Sequence, residues 1–366
     1  MIYLDNNATT EIHPEVKKEM IRCIDQEYGN PSSKYYSLAI SAKNILDKAR
    51  ENVAKLFGCD SQEIIFTSGS TESNNFLIKG LADTQREKKH IITSSIEHPS
   101  VLNVLRYLET KGFKVTYLPV SKEGIVDPKL LEKSISDETF LVTIMWVNNE
   151  IGSINDICKI SEICYKKKIF FHVDATQAVG KIDVKLPIGV TSATFSAHKI
   201  YGPKGVGALI LRKDKDGLSQ KITPLLHGGE QEFGYRAGTQ SVHNIAGLSK
   251  ACEIVMRDFE KNILALREKE LMLVNILNNK LGDQIVYNSP DNKVPGVINF
   301  QIKGIKNVIF LKKISPYIAA SAGSACSITH PSETLAAIGL TDHEIHQSIR
   351  FSLSPYDDIS ELENIL

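Results

Sequence analysis

The sequence predicts an α/β protein, with a large domain built on a mainly parallel sheet and a smaller α+β domain towards the C-terminus. Three observations carry this expectation. Between residues 60 and 215, short β-branched runs alternate with helical stretches. Those runs are almost continuously apolar, as strands covered on both faces must be. After about residue 244 the pattern changes to one long helix followed by shorter mixed elements. A chain of 366 residues with 42% hydrophobic and 23% charged content can bury one large and one smaller core.

The elements follow in order. "EIIFTSG" (63–69) reads as a strand and "STESNNFLIKGLADTQR" (70–86) as a helix. "HIITSS" (90–95) is a strand, and "PSVLNVLRYLETKG" (99–112) a helix closed by Gly112. "FKVTYLPV" (113–120) is a strand, "DPKLLEKSIS" (127–136) a short helix, and "TFLVTIMWVNN" (139–149) a strand. "INDICKISEICYKKK" (154–168) has helical amphipathicity, "IFFHVDA" (169–175) is a strand, and 192–198 and 207–213 complete a set of seven. A helix over 244–281 then leads to 296–302, 307–314, 317–323, 332–340 and 348–354. The expected division is 15–243 for the large domain, with 1–14 and 244–366 forming the small one.

Lys plus Arg equals Asp plus Glu, 43 each, so no net field draws the chain to nucleic acid or to an anionic membrane. The six cysteines lack the paired spacing of a zinc site and the density of a disulfide framework. Five of them read as core fillers, with Cys158 and Cys164 on the amphipathic helix. The start "MIYLDNNATT" has neither a basic nor an apolar leader region, and no apolar run approaches about 18 residues. The expectation is a protein of the reducing cytoplasm that binds no metal.

Ligands of such sheets collect at the carboxyl ends of the strands, and there this chain places polar clusters. "TSGSTESNN" opens a helix with hydroxyls and backbone N–H groups suited to an anion, and equally to capping. Asp174 ends an apolar strand, where a carboxylate needs a positive partner such as a protonated heterocyclic nitrogen. Ser196, His198 and Lys199 precede a Gly/Pro-rich turn, and a strand-end lysine can form an imine. Lys204 in that turn reads as a surface residue. His98, Asn149, Arg236 and Thr239 lie at other loop positions, and Arg350 sits on an apolar strand, where it needs an anionic partner. An anion cradle, a buried Asp, a strand-end Lys and a separate Arg are the parts that hold pyridoxal phosphate and an amino acid.

The chain resembles the NifS/IscS-type cysteine desulfurases, class V pyridoxal-phosphate enzymes of fold type I. The likeness runs nearly end to end through "YLDNNATT", "GNPSS", "IIFTSGSTESNN", "EHPSV", "VNNEIG", "HVDATQAVGK", "SAHKIYGPKGVGAL", "HGGEQEFGYRAGT", "SAGSAC" and "SIRFSL". It implies a seven-stranded large-domain sheet, pyridoxal 5'-phosphate as cofactor, L-cysteine as substrate, a homodimer and a sulfur-acceptor protein. Lys199 would be the Schiff-base lysine, with Asp174 on the pyridine nitrogen and Gln177 on the ring hydroxyl. His98 would stack on the ring and could shuttle protons. Ser70, Thr71, Ser196 and His198 would bind the phosphate, with Thr239 reaching that of the neighbouring subunit. Asn149 and Arg350 would hold the substrate carboxylate.

Cys326 matches the nucleophile that takes the sulfur as a persulfide. Its thiolate would be favoured by a nearby cation, His98 or His330. The small residues of "SAGSAC" would let that sulfur be reached. The chain departs from the family in three places. The segment from Cys326 to Pro331 is about two residues short, which limits the reach of a tethered sulfur. Phe233 replaces a frequent Arg, and "SITHP" follows the cysteine. These bear on the acceptor, which serves Fe–S cluster assembly, tRNA thiolation or DNA phosphorothioation. A selenocysteine or cysteine lyase, an aminotransferase and a non-catalytic scaffold are the rival readings. The scaffold predicts loss of Lys199, Asp174 or Cys326, and all three are present.

Overall fold

The computed structural model describes residues 1–85, 87–214, 216–323 and 331–365. In chain order its elements are β1 (Ile2–Tyr3), α1 (Pro14–Gln26), α2 (Ser37–Phe57), β2 (Ile64–Thr67), α3 (Ser70–Thr84), β3 (His90–Ser94), α4 (Pro99–Glu109) and β4 (Lys114–Leu118). There follow α5 (Pro128–Ser134), β5 (Thr139–Met145), α6 (Ile157–Lys167), β6 (Phe170–Asp174), β7 (Ser192–Ser196), β8 (Gly207–Leu211) and α7 (Val242–Leu281). The last elements are β9 (Ile285–Tyr287), β10 (Val297–Ile302), α8 (Asn307–Ile314), β11 (Ile318–Ala319), α9 (Glu333–Ala337), α10 (Asp342–Ile345), β12 (Ser348–Ser352) and α11 (Leu362–Ile365).

The seven predicted strands form one sheet in the order β2-β8-β7-β6-β5-β3-β4. All its pairings are parallel except those of β8, which runs antiparallel to both β2 and β7. Alternate residues explain why the strands are apolar throughout. Phe66, Ile92, Val142 and Ile210 enter one core, and Ile65, Ile91, Leu141 and Leu209 enter another on the opposite face. Each such buried side chain contributes about 1.5–3 kcal/mol.

β5 is shorter than its sequence pattern suggests. The strand stops at Met145 because the Asn148 carboxamide accepts from the backbone N–H of Glu150 and Ile151, closing a turn that Gly152 completes at φ +79°. That turn lifts Asn149 out of the sheet towards the strand ends.

The C-terminal region carries a three-stranded sheet, β12-β10-β9, and the two-residue pair β1–β11. β9 was not legible in the sequence. Helix α7 serves two cores. Ile245, Leu248 and Cys252 pack with the large sheet, whereas Leu266, Leu273, Ile276 and Leu277 pack with Leu4, Ile298, Phe300 and Phe351. Among the described cysteines, Cys23, Cys164 and Cys252 are buried and Cys59 is half-buried, but Cys158 is exposed. The core-filler reading fails there because α6 turns Ile157, Ile160 and Cys164 inward and leaves position 158 about 100° round the helix from 157. Among the described residues, no helix is long and apolar enough to cross a membrane.

Candidate active site

A cavity of about 490 Å³ opens at the carboxyl ends of the central strands. Its wall includes Ser70, Thr71, His98, Asn149, Asp174, Gln177, Ser196, His198, Lys199 and Arg350. Ten of the sequence-predicted residues, spread over 281 positions of chain, are therefore brought together. Cys326 and His330 lie outside the described residues. Thr239 does not line the cavity of its own chain and is exposed.

One end of the cavity is an anion cradle. The loop after β2 leads into α3, where the Ser70 backbone N–H donates to Ser196 Oγ at 2.8 Å and the two hydroxyls also pair at 2.8 Å. Gly69 at φ +151° makes this approach possible, since a Cβ there would stand 3.3 Å from Ser196 Oγ. β8 closes in from behind, and a Cβ on Gly207 would come within 2.7 Å of the Gly69 Cα. His198 adds a ring whose Nδ1 lies 3.1 Å from Thr9 Oγ1. Burial, with Lys199 and Lys204 nearby, pushes its pKa down to about 4, so it is neutral at pH 7. Hydroxyls, helix N–H groups and a neutral imidazole suit a phosphate. Lys204, read as a surface residue, is indeed exposed but stands on the cavity wall.

The cavity wall also holds a buried carboxylate. Asp174, at the end of β6, accepts from Asn74 Nδ2 at 2.9 Å and from the Thr176 backbone N–H at 3.0 Å. Beside it, His98 caps α4. Its Nδ1 lies 2.8 Å from Ser100 Oγ and accepts from the Ser100 backbone N–H at 3.1 Å. Burial lowers the His98 pKa, Lys199 adds to that, and Asp174 opposes it. Next to it, Glu97 is fully buried, with Oε1 accepting from Ser94 Oγ and Met145 N–H and Oε2 without a partner among the described residues. Burial pushes Glu97 up to about 8.

The N-terminal segment forms the cavity floor, a role the sequence reading did not assign. Asn7 and Ala8 offer carbonyl oxygens at 2.6 Å to Lys199 Nζ, and Asn7 O also accepts from Gln177 Nε2 at 2.9 Å. Lys181 Nζ donates to Asn7 Oδ1 and Gln177 Oε1, each at 2.7 Å. Burial and the charges of Lys199 and Arg350 bring Lys181 down to about 7. The "DNNATT" run and the i, i+4 spacing of Gln177 and Lys181 were the available signals.

Arg350 completes the wall from β12. Its Nη2 donates to Asp5 Oδ1 at 2.6 Å and Nη1 to the Asn149 carbonyl at 3.1 Å, while Nε has no partner among the described residues. The anionic partner that a buried guanidinium requires is thus supplied in part by the chain itself. The described residues on either side of 324–330 are tied to this corner. Ser321 bridges Arg350, and Ser332 Oγ donates to the buried Glu150 at 2.6 Å.

The profile of the class-V aminotransferases matches residues 2–365. The chain belongs to this family. "Cysteine desulfurase IscS" of Pseudoalteromonas translucida is 40% identical over 99% of the chain and 90% of its own length. A solved structure described as a NifS-like protein superposes with a TM-score of 0.92 at 38% identity, covering 100% of this chain and 96% of that one. Another, described as SspA in complex with cysteine, gives a TM-score of 0.86 at 36% identity, with 98% and 100% covered. Within the class-V aminotransferases the chain therefore stands among the cysteine desulfurases, as a fold-type I enzyme whose cofactor is pyridoxal 5'-phosphate. The site suits that group: a cradle where Gly69 leaves room beside Ser196, a buried carboxylate and a lysine amine line one cavity.

Proposed function

We propose that this cavity converts L-cysteine to L-alanine and that the sulfur leaves as a persulfide on Cys326. The observation that carries the reading is the convergence on one cavity of Lys199, Asp174 and Arg350, whose Nε has no partner among the described residues. When bound, pyridoxal phosphate supplies an aldehyde that takes up the substrate amine and a ring that draws electrons from Cα. Ser70, Thr71, Ser196 and His198 would hold its phosphate, Asp174 would pair with its ring nitrogen, Gln177 would meet its ring hydroxyl, and His98 would stack on the ring.

Arg350 and Asn149 orient the substrate carboxylate. The Lys199 amine takes the Cα proton and is the group placed to return it. Cys326, as thiolate, attacks the substrate sulfur, so that an S–S bond forms as the C–S bond breaks. The net change, cysteine plus thiol to alanine plus persulfide, needs no outside oxidant.

A second copy of the chain would complete the site, because Thr239 stands exposed on a loop away from its own cavity. We assign it to the phosphate of the partner. The sulfur passes to an acceptor protein for Fe–S cluster assembly, tRNA thiolation or DNA phosphorothioation, in a cytoplasmic setting. Trapping with the persulfide in place identifies the acceptor.

Cys326→Ala is expected to keep the cofactor absorbance and to lose alanine formation from cysteine. Desulfuration at the full rate in that variant overturns the assignment. Lys199→Ala is expected to lose the absorbance of lysine-bound cofactor, and an unchanged spectrum removes that role.

A further inference from the structure

Behind the cavity, one buried side chain ties Asp174 of the site to Ser100 and His172. Asn74 lies on α3, is fully buried, and contacts Asp174 Oδ2 at 2.9 Å, Ser100 Oγ at 2.9 Å and His172 Nε2 at 2.8 Å. Chemistry fixes the direction of each bond. A carboxylate only accepts, so the NH₂ end of Asn74 faces Asp174. The second hydrogen of that NH₂ goes to Ser100 Oγ. The Asn74 oxygen is left to accept from His172 Nε2–H, and His172 Nδ1 takes the Ser192 hydroxyl at 2.9 Å.

The backbone decides the Ser100–His98 bond. The Ser100 backbone N–H donates to His98 Nδ1 at 3.1 Å, so that nitrogen is an acceptor and carries no hydrogen of its own. The Ser100 hydroxyl, 2.8 Å from the same nitrogen, must then donate to it, and its oxygen keeps a lone pair for Asn74. The hydrogen of the neutral ring must sit on Nε2. The imidazolium would need a third hydrogen in that space.

We propose that Asn74 and Ser100 are positioning residues that hold His98 as the neutral imidazole with its hydrogen on Nε2. In the resting enzyme His98 then presents the cavity with a fixed Nε2–H donor. Resting on the desulfurase reading, this leaves the Cα proton to Lys199, and the cation that favours a Cys326 thiolate is not His98. The charged groups that face His98 are Asp174 from β6 and Lys199 after β7, and they act in opposite directions. Burial outweighs both and favours the neutral ring, and the hydrogen bonds to Nδ1 decide which nitrogen carries its hydrogen.

The test is ¹⁵N–¹H NMR of holoenzyme labelled at its ten histidines, with the His98 signals assigned by their loss in His98→Gln. The expected result is a bare Nδ1 and a protonated Nε2 that persist as the pH falls from 8 to about 5.5, below the ordinary histidine midpoint. Ser100→Ala removes one of the two donors and is expected to raise the His98 midpoint by about one pH unit, roughly the effect of one hydrogen bond. Asn74→Ala lets the Ser100 hydroxyl turn and is expected to shift it the same way. An Nδ1-protonated ring or an imidazolium at neutral pH in the parent enzyme overturns the proposal, whether or not either variant folds. A midpoint unmoved in both folded variants also overturns it. The spectra need no substrate, so their outcome is independent of whether cysteine is desulfurated.

Discussion

Arg350→Met tests how the substrate end of the cavity is built. Arg350 is 1% exposed, and its guanidinium is tied to an Asp5 carboxylate 2.6 Å away whose side chain is 19% exposed. Methionine keeps an unbranched stem and removes the charge. Breaking a buried pair from one side strands the other charge, at a cost of about 3–5 kcal/mol. Asp5→Asn in the same chain removes the stranded charge, and the double variant is expected to recover about 2 kcal/mol relative to the sum of the singles. Urea unfolding of the four proteins reads that coupling. Binding is read separately, by the absorbance change on titrating holoenzyme with L-alanine, the expected product. Loss of a charge-assisted hydrogen bond of about 1.5–3 kcal/mol weakens alanine roughly 10- to 100-fold. The reasoning fails if Arg350→Met unfolds within about 1 kcal/mol of the parent, or if the two substitutions are simply additive.

Other outcomes follow from the same geometry. Glu97 is raised from 4.5 to about 8 by burial, so the folded chain binds a proton that the unfolded chain releases. Its contribution is fully present below pH 4.5 and is lost as pH rises through about 8, so Glu97→Gln is expected to flatten that decline in Tm. His198 is depressed from 6.5 to about 4, so stability present above pH 6.5 falls as pH drops towards 4, and His198→Gln is expected to lessen that fall. Gly69→Ala sets a methyl 3.3 Å from Ser196 Oγ at φ +151°, and is expected to weaken cofactor retention on dialysis more than it lowers Tm. The Glu232 carboxylate makes a bidentate pair with Arg50 at 2.8 Å and accepts from Phe66 N–H, with both charges buried. Glu232→Ala leaves Arg50 stranded and is expected to cost about 3–5 kcal/mol in urea unfolding.

Much of the fold was legible because a two-sided sheet leaves a simple signature. The seven apolar runs became seven strands, since nearly every position on the inner strands is buried whichever way it faces, and only edge strand β4 is partly open. The short elements were harder. β9 is partly exposed and carries no pattern of its own, and β11, within the expected element 317–323, shrinks to Ile318 and Ala319 paired with the N-terminus. Cys158 shows the limit of composition, since being a cysteine on an amphipathic helix does not say which face it takes.

Phe233 makes the same point about environment. It lies at φ +59°, and the Arg50 guanidinium lies between its ring and that of Phe66, at 4.8 and 4.7 Å from the two centroids. No local pattern announces that arrangement, because Phe233 meets Arg50 and Phe66 from a remote stretch of chain.

The sequence by itself determined the fold class, the chemistry-bearing residue types and their order, because burial periodicity and functional side chains are written locally. Tertiary structure alone decided that Asn7 and Ala8 underlie Lys199, that Asp5 reaches Arg350 across 345 positions, and that Asn74 directs the hydrogens around His98. Those are relations of distance and donor direction between remote segments. They exist only once the chain has closed on itself.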